Sequence, residues 1–128
     1  MDQNELEIRQ WLTRLEREYA NIMREMEQLV DDSRVMSQGT PYYINLFRKT
    51  GGVNWVRWRL IQPRKHIHIT WDRMLPQVMG LGDAKKAWMF EANWRARLLN
   101  TQEGSIRKSL AAGQKLMREF EKAKIMPE

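Results

Sequence analysis

Residues 41–71 read PYYINLFRKTGGVNWVRWRLIQPRKHIHITW, and within them the apolar spacing changes from the three- and four-residue steps of a helix to alternation. Two turn signals divide the stretch, Thr50-Gly51-Gly52 and Gln62-Pro63-Arg64. The pieces between them run from Tyr42 to Lys49, Val53 to Ile61 and Lys65 to Trp71, each seven to nine residues long. Such lengths and turns predict a three-stranded antiparallel β-meander.

Alternation places successive side chains on opposite faces of a strand, so each run sorts in two. One face collects Tyr42, Ile44, Leu46, Val56, Trp58, Leu60, Ile67, Ile69 and Trp71, the composition of a core. The other collects Tyr43, Asn45, Phe47, Lys49, Trp55, Arg57, Arg59, His66, His68 and Thr70, with Arg64 and Lys65 at the turn. Single-stranded nucleic acid asks for this second chemistry, rings against bases and cations against phosphates. Tyr43, Phe47 and Trp55 are the candidate stackers. Arg48, Lys49, Arg57, Arg59, Arg64 and Lys65 are the candidate phosphate contacts, and His66 and His68 stand beside them. A duplex is a second possible target, because a β-ribbon fits the major groove and arginine reads guanine there. Two other readings stay open. The rings could be covered by later segments, with arginines closing over them as a cation–π layer, or the face could bind a protein, since interfaces favour aromatic residues and arginine.

Helical periodicity flanks the meander on both sides. Ile8, Leu12, Leu15, Tyr19, Ile22, Met26 and Leu29 recur in alternating steps of four and three, a coiled-coil seam, which predicts one helix over residues 1–36. From Asp83 to Lys124 the same rhythm carries Met89, Ala92, Ala96, Leu99, Ile106, Leu110, Met117 and Phe120, with Glu103 and Gly113 in the two remaining seam positions. Gly104 and Gly113 each weaken a helix by about 1 kcal/mol relative to alanine, so residues 83–124 form either one helix or two joined near Gly104. Residues 72–82, with Pro76, Gly80 and Gly82, predict a short helix or loop. The expected fold is α+β: an antiparallel hairpin of long helices with the meander inserted at residues 41–71, in one domain spanning residues 1–128. The seam of the first helix offers a further possibility, a homodimer formed through the N-terminal helix.

Charge divides the chain. Residues 1–34 hold 9 acids and 5 bases, whereas residues 35–128 hold 17 bases and 7 acids, within a formal net charge of +6. The basic part suits a polyanion, although solubilising lysine and arginine produce the same count. The C-terminal cations, among them Lys85, Lys86, Arg95, Arg97, Arg107, Lys108, Lys115, Arg118, Lys122 and Lys124, pair readily with acids of either helix. Cysteine is absent, which excludes disulfides, thiolate metal sites and cysteine nucleophiles. His66 and His68 lie two apart on one strand face and would need a third metal ligand such as Asp72; no metal and no cofactor are expected. Neither a nucleophile elbow nor a phosphate-cradling glycine loop occurs, so no enzyme activity is expected. No run of 18 apolar residues and no secretory signal is visible, and the expectation is a cytoplasmic protein without a membrane span.

Two short motifs carry a family resemblance. A long helix precedes a strand with Val56-Arg57-Trp58-Arg59, and a later helix holds Leu99-Asn100-Thr101-Gln102. This order resembles a small uncharacterised family of bacterial integrating conjugative elements, some members of which are labelled integrase regulator. The resemblance implies a mobile-element or phage origin and a role near DNA, and it supplies no catalytic residues. The resulting expectation is a non-enzymatic nucleic-acid-binding accessory protein acting through the basic-aromatic sheet face. Its alternative is an adaptor or inhibitor of a host nucleic-acid machine that binds protein through the same face.

Overall fold

The Asp2 carboxylate accepts hydrogen bonds from the backbone N–H groups of Asn4 and Glu5 and thereby starts helix α1, Gln3–Met36. The computed structural model describes residues 2–125. After α1 come β1 (Tyr42–Lys49), β2 (Val53–Gln62), β3 (Lys65–His68), α2 (Trp71–Val78) and α3 (Asp83–Ile125). The strands form one antiparallel sheet in the order β1-β2-β3. Tyr42 lies opposite Leu60 and Lys49 opposite Val53, and the turn between them uses Gly51 and Gly52 at φ +95° and +86°. Only glycine adopts that backbone region without steric cost.

α1 and α3 run antiparallel along one another. Arg9 meets Glu121, Tyr19 meets Glu103 and Glu25 meets Arg95, so positions rise along one helix as they fall along its neighbour. Both seams are spent on this contact and on the sheet. Leu15, Ile22, Met26 and Leu29 are buried from α1, and Met89, Ala92, Ala96, Leu99, Glu103, Gly113 and Met117 from α3. The α1 seam that suggested a homodimer is therefore occupied within the chain. Acid on α1 faces base on α3 in the Glu25–Arg95 and Glu5–Lys124 pairs, the latter at 3.0 Å.

Gly113 faces α1 closely: a β-carbon there would lie 2.6 Å from Leu12 Cδ2 and 3.1 Å from the Trp11 ring. A seam position filled by glycine thus permits the close approach. Gly113→Val is expected to lower stability by about 1–3 kcal/mol, the usual cost of overpacking, read as a lower urea midpoint.

The sheet face that points inward, built from Tyr42, Ile44, Val56 and Trp58, packs on Met26, Leu29, Val30, Met89 and Leu99. The Trp58 indole donates to the Asn93 side chain at 3.2 Å, which satisfies its buried N–H. β3 ends at His68, three residues short of the expected strand, because Thr70 turns the chain into α2. Trp71 consequently reaches the core from a helix and not from a strand. Its ring stacks on Trp58 at 6.0 Å and meets Phe90 edge-on at 5.1 Å.

α3 also resolves the alternative left open at Gly104, for it continues unbroken. Three side chains next to the glycine fasten it: Asn100 to β2, Glu103 to α1 and β2, and Arg107 back to Glu103. Those contacts outweigh the 1 kcal/mol or so that one glycine costs a helix. Asn100 accepts from the Val56 N–H at 2.8 Å and donates to the Val56 carbonyl at 2.9 Å, standing in for a neighbouring strand. β3 is too short to pair with that part of β2, so α3 covers the exposed edge. Ser33 of α1 does the same for β1, bonding both the N–H and the carbonyl of Ile44.

Candidate nucleic-acid interface

The register fixes which side chains share the sheet face that points away from the helices. Tyr43, Asn45, Phe47 and Lys49 of β1 lie opposite Arg59, Arg57, Trp55 and Val53 of β2, and His68 and His66 of β3 lie opposite Arg59 and Ile61. None of these residues belongs to the core cluster that α1, α2 and α3 form with the inner face. The sheet contributes no acid to this outer face, whereas it contributes Lys49, Arg57 and Arg59, with Arg64 and Lys65 exposed at the β2–β3 turn.

A chain of contacts runs along the middle of the face. Lys49 Nζ lies over the Trp55 ring at 5.5 Å, Trp55 stacks on Phe47 at 5.8 Å, and the Arg57 guanidinium covers Phe47 at 4.1 Å. The cation–π contacts foreseen as an alternative are thus present, between side chains that are half-buried apart from the exposed Lys49. Arg59 donates from Nη2 to the His66 carbonyl at 2.8 Å, and the Tyr43 hydroxyl is hydrogen-bonded to His66 Nδ1 at 2.6 Å.

Three nitrogen donors in this array have no acceptor among the described residues although neighbouring side chains shut them from solvent: Trp55 Nε1, Arg57 Nε and Arg59 Nε. A buried donor without an acceptor costs free energy, and because solvent does not reach these three, a ligand meets them only when neighbouring side chains move. Loss of hydration, with the adjacent Arg59 charge as a second cause, draws the Arg57 guanidinium below its ordinary pKa. An anion beside the pair would favour the charged form of Arg57.

Not all the candidate residues come together. Tyr43, Phe47, Lys49, Trp55, Arg57, Arg59, His66 and His68 share the outer face, and Arg64 and Lys65 extend it at the turn. Arg48 does not: alternation puts it on the helix side, where it meets Glu27 of α1 at 3.8 Å. Ile61 does lie on the outer face, 47% exposed, and the alternation that sorted Arg57 and Arg59 would have found it. Among the described residues no three histidine, aspartate or glutamate side chains gather as a metal site, and His66 bonds Tyr43. No helix among them is long and apolar enough to cross a membrane. Trp88 packs edge-on against Trp58 at 6.3 Å, while Trp94 is 63% exposed under the Arg97 guanidinium.

The two motifs that carry the family resemblance meet in space. Asn100 of the second clamps Val56 of the first, and that clamp leaves Arg57 and Arg59 pointing to the outer face. Compared with known proteins, the chain matches no family model, no curated protein and no solved structure.

Proposed function

We propose that the protein binds nucleic acid through the outer face of its sheet, without catalysing a reaction, as an accessory protein of a mobile element or phage. The observation that carries this reading is a sheet face outside the core cluster that bears arginine, lysine and rings and has no acid. Phosphate oxygens are strong acceptors with a matching charge. In this reading Arg57 and Arg59 take the phosphates at the centre, Lys49, Arg64 and Lys65 take them at the ends, and Trp55 and Tyr43 meet bases. A single strand is preferred because its bases can turn onto the sheet, whereas a duplex keeps them stacked on one another. The mobile-element setting rests on the family resemblance that the two motifs carry.

The test is fluorescence anisotropy of labelled single-stranded and duplex oligonucleotides at two salt concentrations, with tryptophan emission read alongside. Binding is expected to be tighter for the single strand and to weaken with salt, with a logarithmic slope of about −0.7 for each phosphate neutralised. Absence of binding to either at low salt would exclude the reading.

One observation favours the rival, a protein partner on the same face. Cations already lie on the Phe47 and Trp55 rings, and arginine with tryptophan is the usual make-up of an interface centre. An adaptor would hold its protein partner regardless of added oligonucleotide, so a competition measurement separates the two.

A further inference from the structure

Where the α1–β1 connection passes the end of the sheet, it leaves a cleft of about 410 Å³ whose walls include Arg34, Gln38, Tyr42, Tyr43, Ile61 and His66. Most of its accessible lining is apolar, and no acid contributes to it. Arg34 is in its wall, and the Asp31 carboxylate is 3.7 Å away with both side chains about two-thirds exposed. Exposed ion pairs of that kind are weak, so the guanidinium is free to take another anion. Tyr43 and His66 belong both to this cleft and to the outer face, and the Tyr43–His66 hydrogen bond forms the boundary they share with Arg59.

We infer that the cleft receives one unstacked base of a single strand whose phosphates lie on Arg59 and Arg34. Resting on the reading above, this deepens it by naming the chemical unit. A base is planar and apolar on its faces and carries a phosphate at a fixed reach, and the cleft offers a mostly apolar lining with Arg34 in its wall and Arg59 bonded to the carbonyl of the lining residue His66. The volume suits a ligand the size of a nucleotide. A base within a duplex is held in the stack and cannot enter without being flipped, so the cleft discriminates single strands from duplexes. Gln38 and the Tyr43 hydroxyl stand at its walls as polar groups for a base edge.

Ile61 and Gln38 both line the cleft and both are exposed, so Ile61→Trp and Gln38→Trp each fill it without touching the core. The measurement compares an oligothymidine with an abasic oligomer of the same length and charge, on the parent and on each variant, with circular dichroism as the check of folding. The parent is expected to prefer the oligothymidine about tenfold or more, the share one or two stacked bases contribute. Filling the cleft should remove a clear share of that preference, leaving only the part that stacking on Trp55 of the sheet face contributes. If both variants keep the full preference, the cleft proposal is wrong while binding by the sheet face stands. If the parent binds neither oligomer, the reading of the face fails and the cleft proposal falls with it.

Discussion

Arg57→Ala together with Arg59→Ala is expected to weaken single-strand binding about 100-fold. Each arginine would make at least one charge-assisted hydrogen bond to phosphate, worth roughly 1.5 kcal/mol or more, and two such losses make two decades in affinity. Two lost phosphate contacts should also flatten the logarithmic salt slope by about 1.4. Both readouts come from the same titration, and a variant that keeps affinity and slope would remove the sheet face from the account.

The same substitutions should leave the fold nearly unchanged, because neither side chain enters the core. Losing the guanidinium over Phe47 costs about 0.5–1 kcal/mol. Removing two donors that have no acceptor returns a similar amount. Arg57→Ala alone carries a more pointed expectation. It deletes one phosphate contact but uncovers the Phe47 ring, which then becomes available to a base, so its loss should be well under half that of the double variant. Equal losses for the two single variants would mean that Phe47 takes no part in binding.

Much of this layout could be read from spacing alone, for physical reasons that individual elements make plain. β1 came out residue for residue because alternation and the Thr50-Gly51-Gly52 turn fix both its ends. The seams were legible because burial along a helix repeats at a period the chain cannot disguise. What escaped depends on contacts between distant residues. Trp71 alternates in step with β3, yet Thr70 and the pull of Trp58 and Phe90 put it in α2. Arg48 counted as one more cation in a basic stretch, and only its partner Glu27, on a helix some twenty residues upstream, shows which way it turns. The cleft joins Arg34, Ile61 and His66 from three separate segments, so no local pattern announces it.

Glu103 occupies a seam position where an apolar residue would normally sit, and its replacement is the second large effect expected. Its side chain is 2% exposed. It accepts from the Tyr19 hydroxyl at 2.8 Å, from the Asn54 backbone N–H at 3.1 Å and from Arg107 Nε at 3.2 Å, while Asn54 also donates to Tyr19 at 2.9 Å. Burial first, and the neighbouring carboxylate with it, pushes the Tyr19 hydroxyl pKa up, so the group keeps its proton and serves as donor. Glu103→Ala strands three donors at once. Breaking a buried charged cluster from one side costs about 3–5 kcal/mol, a large share of a typical domain's stability, and should lower the melting temperature by roughly 10 °C. Glu103→Gln keeps an acceptor for Tyr19 or Asn54 and loses mainly the charge opposite Arg107, so about 1–2 kcal/mol is expected. The cost should lie in the stranded partners and not in the lost carboxylate. Combining Glu103→Leu with Tyr19→Phe is therefore expected to recover part of the loss in a double-mutant cycle. Asn54, the second residue of β2, stands directly beside Trp55, so a weakened cluster also loosens the hairpin end that carries Trp55 and Lys49. Glu103→Ala should accordingly weaken oligonucleotide binding severalfold, even though the carboxylate lies on the opposite side of the sheet. A urea midpoint lowered by less than 1 kcal/mol equivalent would show that water reaches the cluster and that no such coupling exists.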